Sequence, residues 1–218
     1  MSRVRVHNFA VSLDGFGTGD GQTREAPFGH AGTRLLDWAF PTRTFTDMGF
    51  HGEQPGTTGI DEAFASRWNT GIGAEIMGRN KFAPKPGPWP DDDWKGWWGD
   101  TPPFHTPVVV LTHHPRPPLE MEGGTTFYFV TDGIESALRQ AREAAGEGNI
   151  SIAGGASTVN QYLAAGLIDE LHIHIVPITL GAGTRLFDGV PSLNLEQIES
   201  RTSYGVTHIA YRVLRPKS

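Results

Sequence analysis

Ile150-Ser151-Ile152-Ala153-Gly154-Gly155-Ala156-Ser157 is the stretch from which the rest of the chain is best read. Its β-branched start predicts a strand. Val159, Tyr162 and Leu163, closed by Gly166, predict a helix beginning near Ser157. A strand that enters a helix through adjacent glycines presents unpaired N–H groups and the positive end of the helix dipole, with no side chain in the way of an anion. The same residues also suit a tight turn that needs positive φ and binds nothing. Neither the G-x-G-x-x-G nor the G-x-x-x-x-G-K-S/T pattern occurs. Alone, then, Gly154-Gly155 marks an anion site without naming the anion.

Outward from this turn the second half is regular. Val108 to Leu111 and Thr126 to Val130 read as buried strands. Ile134, Ala137, Leu138, Ala141 and Ala145 form a helical stripe, with Asp132 expected as N-cap, Glu135 behind it and Gly146 as terminator. Leu171 to Val176 is a strand stopped by Pro177, and Val206 to Leu214 supplies a last one. In the first half, Val4 to Val11 predicts a strand followed by a glycine-studded loop. Leu35, Leu36, Ala39 and Phe40 predict a short helix, with loop from Pro41 to Gly59. Ile60, Phe64 and Trp68 predict a second helix, and Ala74 to Met77 a strand. Residues 84–107 hold Pro86, Pro88, Pro102 and Pro103 together with Trp89, Trp94, Trp97 and Trp98. Proline at that density excludes a helix or central strand, and the aromatic content predicts an ordered loop of the kind that covers a site. Strands alternating with helices predict one α/β domain over 1–218 with a mostly parallel sheet.

Composition removes several functions. The chain has no cysteine, so disulfides, thiolate nucleophiles, cysteine zinc sites and iron–sulfur clusters are out. A net charge of −6 argues against a general nucleic-acid surface. No apolar signal core follows Met1, and no apolar run approaches the ~20 residues of a membrane helix, so a soluble cytoplasmic protein is expected.

Two more turns at strand ends favour anions. Gly78 with Arg79, Asn80 and Lys81 permits a close backbone approach and offers cations; a solvated basic turn explains it equally well. Thr112, His113 and Arg116 bring a hydroxyl, an imidazole and a guanidinium suited to a ribose 2′-phosphate, although histidines at such positions are often plain loop residues. In an open α/β sheet these turns all lie at the carboxyl ends of strands, where ligands bind. Their coincidence points to a dinucleotide.

These segments, with Ser12-Leu13-Asp14-Gly15, Asp169 to Pro177 and Leu180 to Phe187, resemble the dihydrofolate reductase-like superfamily. The closer likeness is to the reductase (C-terminal) domain of the bacterial riboflavin biosynthesis bifunctional deaminase-reductase. The resemblance spans nearly the whole chain. It implies a three-layer fold, a central mostly parallel sheet flanked by helices, bound NADPH, hydride transfer to a C=N or C=O group, and a homodimer. It places Gly78, Arg79, Asn80 and Lys81 at the cofactor phosphates, Thr112, His113 and Arg116 toward the 2′-phosphate, and Gly154, Gly155, Ala156 and Ser157 along the pyrophosphate. The deaminase half of the bifunctional enzyme needs cysteines that this chain lacks.

For the reacting centre the resemblance offers Asp14, at the end of the first strand, and Asp37, on the first helix. Asp14 also reads as a turn-forming Asp-Gly pair, and Asp37 as a solvated aspartate beside core residues. The tryptophans of 84–107 either wall a planar substrate or fasten the loop. His172 and His174, alternating on one strand, suggest metal ligands, but no third ligand accompanies them; no metal is expected. The resulting expectation is an NADPH-dependent reductase of a small pteridine-, pyrimidine- or flavin-like compound. A non-catalytic dinucleotide-binding module is the competing class. The strand Leu171 to Val176 and the C-terminal segment are expected at the subunit face.

Overall fold

The computed structural model describes residues 2–50, 55–89 and 93–215. Eleven strands are formed: β1 (Val4–Ser12), β2 (Phe16–Thr18), β3 (Ile72–Gly78), β4 (Pro107–Leu111), β5 (Leu119–Glu120), β6 (Thr126–Val130), β7 (Asn149–Gly154), β8 (Glu170–Val176), β9 (Thr184–Arg185), β10 (Asn194–Thr202) and β11 (Thr207–Leu214). Five α-helices accompany them: α1 (Arg43–Asp47), α2 (Ile60–Ala65), α3 (Arg79–Phe82), α4 (Ile134–Ala145) and α5 (Ala156–Ala164). Nine strands make one sheet in the order β10-β11-β8-β1-β7-β3-β4-β6-β5, and β2 pairs with β9 beside it. The run from β8 to β6 is parallel throughout. Antiparallel strands close both edges. This is the expected mostly parallel α/β architecture.

The parallel strands are buried on both faces because both are covered. On one face Ile76, Val109, Ile150 and Ile152 meet Ala137, Leu138 and Ala141 of α4 and Val159 and Leu163 of α5. On the other, Met77, Val108, Val110 and Phe127 meet Phe82, Phe104 and the tryptophans of the Pro/Trp-rich loop. Further along that face Ala10 and Val176 pack under Leu35, Trp38, Ala39 and Ala65. The layers are therefore two longer helices, the sheet, and a cover of loop and short helix.

Several local expectations are corrected. Residues 32–40 form successive turns, not a helix, with Leu36 N donating to Thr33 O and Ala39 N to Leu36 O. Leu35, Trp38 and Ala39 reach the core all the same, so the apolar spacing reflects burial without a regular helix. The loop from Pro41 to Gly59 includes the short helix α1. The N-cap of α4 is Gly133, at φ +96, and not Asp132. The strand β8 lies between β1 and β11 and is buried along nearly its whole length, so it offers no subunit face. The outer strand β10, unforeseen because it is polar on both sides, forms that edge. Residues 84–106 contain no helix or strand where described, as the prolines require.

Candidate functional site

The segments that follow β3, β4 and β7 border one cavity of about 730 Å³ on the loop-covered side of the sheet. After β3, a Cβ on Gly78 would stand 2.3 Å from Thr158 Oγ1, so only glycine lets α5 approach this strand end. Next to it the Arg79 guanidinium lies 4.0 Å from the centre of the Trp89 ring. Its Nε and Nη2 are buried and have no hydrogen-bond partner among the described residues, and burial lowers its pKa. Two desolvated cationic donors without an acceptor are costly unless a ligand supplies one. Asn80 is exposed and also borders the cavity. Lys81 turns beneath the neighbouring turn, where its Nζ donates to Ala153 O at 2.7 Å.

After β4, Thr112 is buried and its Oγ1 accepts from His114 N at 3.2 Å, while His113 is exposed at the cavity wall. After β7, Gly154 takes φ +103, a conformation that favours glycine, and the Gly154–Gly155 peptide is cis. Gly155 is the N-cap of α5, and no side chain caps that helix. A Cβ on Gly155 would meet nothing within 4 Å. Gly155, Ala156 and Ser157 thus present the helix N-terminus to open space in the cavity, the arrangement that accepts a phosphate.

All the expected cofactor residues border this cavity except two. Gly154 shapes the turn from behind. Arg116 sits in the tryptophan loop, donating from Nη2 to Trp94 O at 2.9 Å and packing 5.3 Å from the Trp89 ring centre. The two expected reacting residues lie off the cavity. The Asp14 carboxylate accepts from the Ser12 hydroxyl and from the amides of Leu180 and Gly181, which together hold its pKa down to about 2. Asp37 is exposed on the turns that replace the expected helix.

The tryptophans divide by role. Indole N–H groups of Trp94 and Trp97 donate to Phe82 O and Lys81 O, both at 2.8 Å, and Trp89 donates to His114 O at 2.7 Å. Trp94 and Trp97 satisfy carbonyls at the end of α3, which four residues of helix leave open, and all three fasten the loop. Trp97 and Trp98 also line the cavity.

Among the cavity residues that the sequence does not single out are Asn8, Ser151 and Glu75. Glu75 is 2% exposed and lies across from Ser151 of β7 and Val108 of β4. Among the described residues it has no hydrogen-bond partner. Burial raises its pKa to about 7, against the opposing pull of the Lys81 charge. Its one visible signal was a lone charge in an apolar strand.

His172 and His174 do not share a metal-like site. His172 stacks on His7 with ring centres 4.3 Å apart, and Glu170, the nearby carboxylate, is taken by Arg3 and Arg5. Both nitrogens of His174 are engaged, with Asn8 Oδ1 accepting from Nε2 at 3.0 Å and His208 Nδ1 standing 2.7 Å from its Nδ1.

The family model described as the RibD C-terminal domain matches residues 4–209. The chain belongs to this family. Membership bears out the resemblance to the reductase domain of riboflavin biosynthesis proteins. The RibD C-terminal fold also governs the structural likenesses. A putative riboflavin biosynthesis protein from Shewanella sp. PV-4 superposes with a TM-score of 0.61 at 23% identity, over 99% of this chain and 100% of that one. A pyrimidine reductase-like protein from Corynebacterium diphtheriae gives 0.55 at 16% identity, over 99% and 93%. At these identities the likeness is one of fold. The uncharacterized protein YyaP of Bacillus subtilis (strain 168) is 35% identical over 85 residues, 38% of this chain and 45% of YyaP, so the match spans less than half of that relative. Among the described residues, no helix is long and apolar enough to cross a membrane.

Proposed function

We propose that the cavity binds NADPH and that the protein is an NADPH-dependent reductase of a small planar heterocycle of the pteridine, pyrimidine or flavin-like class. The observation that carries this reading is Arg79: a guanidinium held on Trp89 with two buried, unpartnered donors, beside an uncapped helix N-terminus. Gly78 to Asn80 and Gly155 to Ser157 hold the phosphates, Thr112 and His113 face the 2′-phosphate, and Lys81 braces the turn from below through Ala153. Arg116 acts on that end only by way of the loop it fastens. When bound, NADPH supplies a hydride, two electrons with one hydrogen nucleus, to a C=N or C=O carbon. The chain binds and orients both reactants, and Trp97, Trp98 and Phe104 give the substrate an aromatic wall that excludes water. Family membership and the names of the structural neighbours favour a substrate of the riboflavin pathway. The homodimer implied by the family is assigned to the β10 edge, where Leu195 and Ile198 are exposed.

NADPH oxidation against a panel of pterins, pyrimidinones, flavins and imines tests the activity, and saturable turnover separates an enzyme from a binding module. Ser157→Asp tests the phosphate site. A carboxylate in the first turn of α5 suits the helix dipole, so folding stability should hold or rise, yet it repels a pyrophosphate. NADPH affinity should fall at least about tenfold, roughly 1.4 kcal/mol; unchanged affinity in the folded variant removes α5 from the site. His113→Ala should weaken NADPH and leave NADH nearly unchanged.

A further inference from the structure

The described chain buries three glutamates, and two of them are fully committed. Glu62 accepts from the backbone and hydroxyl of Thr44, both at 2.9 Å, and Glu170 is held by Arg3 and Arg5. Glu75 alone of the three borders the cavity, and it alone has no hydrogen-bond partner among the described residues. The residue is buried overall, yet its carboxyl oxygens are not shut off from the cavity. Alternation along β3 sends Ala74 and Ile76 to the α4 and α5 side and Met77 to the loop side, so Glu75 stands on the loop side, under the aromatic wall. It lies three residues before Gly78, where the phosphate turn begins, and Lys81 of that turn is the cation whose charge acts on it.

We infer that Glu75 is the catalytic proton donor of this reductase, with the Lys81 ammonium as the countercharge for the carboxylate it leaves. The inference rests on the reductase reading above. Reduction of C=N or C=O adds a hydride to carbon and leaves the electron pair of the broken π bond on nitrogen or oxygen. The Glu75 O–H bond breaks, its proton forms the new N–H or O–H bond, and the carboxylate regains a proton from water before the next turnover. A donor for this step must keep its proton near neutral pH without losing it to a neighbour. Burial accomplishes the first, and the lack of a partner the second. The pKa of about 7 agrees with that geometry. The other titratable groups bordering the cavity are His7 on β1, which burial holds neutral with a pKa of about 4, Arg79 and Lys81 on α3, and His113 after β4. The strands flanking Glu75 present Val108 and Ser151 beside it, neither of them charged.

The test uses the full-length chain with two readouts. In Glu75→Gln, kcat should fall about 100-fold or more, with NADPH affinity unchanged, and the loss of rate above pH 7 should vanish from the profile. Glu75→Asp, which keeps the carboxyl, should regain at least about tenfold of that loss. Independently of turnover, infrared difference spectra of the protein without substrate should show a protonated carboxyl titrating near pH 7. It should be absent in Glu75→Gln and shifted upward in Lys81→Met. Wild-type kcat and profile in Glu75→Gln would overturn the assignment while leaving the reductase reading intact. A carboxyl that ionises below pH 5 would overturn it regardless of activity. Failure of the wild type to bind or oxidise NADPH, with the carboxyl still titrating near 7, would instead strike the reductase reading, and the proton-donor role with it.

Discussion

Two polar clusters lie on the same face of the sheet, one over β1, β8 and β11 and the other over β3, and they are built in opposite ways. In the first, His208 Nε2 lies 2.9 Å from Asp61 Oδ1, the Nδ1 atoms of His208 and His174 are 2.7 Å apart, and His174 Nε2 donates to Asn8 Oδ1 at 3.0 Å, while the Asn8 amide donates to Ala65 O at 3.1 Å. Trp38 and Phe64 close over the imidazoles, with Phe64 stacked on His208 at 4.3 Å. The carboxylate, the imidazoles and the amide each have a partner, while the Trp38 indole N–H buried over them has none among the described residues. In the second, Glu75 has none and faces a cavity. A buried polar network with every member satisfied rigidifies a fold. A buried acid left unsatisfied weakens the fold and gains meaning from what enters the cavity. The difference separates polar residues that hold this protein together from those available for chemistry.

The largest stability effect expected is a pH dependence in which buried acid and buried histidines on this face act with opposite signs. Glu75 has a folded pKa of about 7 against an ordinary 4.5. Its contribution is fully present below about pH 4.5 and is lost as pH rises to about 7, with an amplitude of roughly 3 kcal/mol. His7 and His172 are held near 4 against an ordinary 6.5, chiefly by burial. Their contribution is present above about 6.5 and is lost as pH falls through about 4. Urea midpoints of wild type and Glu75→Gln from pH 4 to 8 check both signs. The two windows overlap, so stability of the variant should rise more steeply with pH than that of the wild type, and the variant should be the more stable protein at pH 8 by up to roughly 3 kcal/mol. Superimposable profiles would mean that Glu75 is not the group that titrates.

Next in size is His174→Ala. The imidazole is fully buried, and its removal leaves Asn8 Oδ1 and a His208 nitrogen without partners. An unsatisfied buried group costs about 1–3 kcal/mol, so a loss of about 2–3 kcal/mol is expected after relaxation. NADPH affinity should change less than about threefold, since His174 does not border the cavity. A large drop in turnover with little loss of stability would break the contrast, because Asn8 would then be carrying the histidine cluster's influence into the site.

What the sequence made legible follows the same division. The turn from Ile150 to Ser157 could be read because β-branched residues, adjacent glycines and an apolar stripe mark a strand, a turn and a helix, and Gly78-Arg79 and Thr112-His113 because they recur at strand ends. The strand β10 could not be read, because Leu195 and Ile198 among polar neighbours show no period of two; it exists by pairing with β11. The turns at 32–40 imitate a helix because burial against Ala10 and Val176 imposes similar apolar spacing. Glu75 was visible only as an oddity. What makes it a site residue is the tryptophan loop folding over β3 from farther along the chain, and no local pattern encodes that closure.

The smallest effects expected concern the two aspartates that sequence resemblance nominated, and they bear directly on Glu75. Asp14 and Glu75 are both carboxyls near strand ends, yet the donors around Asp14 favour its charge and the burial of Glu75 opposes one. At neutral pH Asp14 is a firm anion that ties the end of β1 to Leu180 and Gly181, so it has no proton to give. Asp14→Asn keeps an oxygen acceptor and should alter kcat twofold or less, with any loss appearing as a looser 178–181 segment in hydrogen exchange. Asp37→Asn, at an exposed position off the cavity, should change neither. If Asp14→Asn instead lowers kcat as far as Glu75→Gln while the fold holds, the carboxylate itself acts at the reacting centre. The loop from Leu180 must then swing toward the cavity when substrate binds, and the division between structural and chemical polar groups would have to be drawn through Asp14.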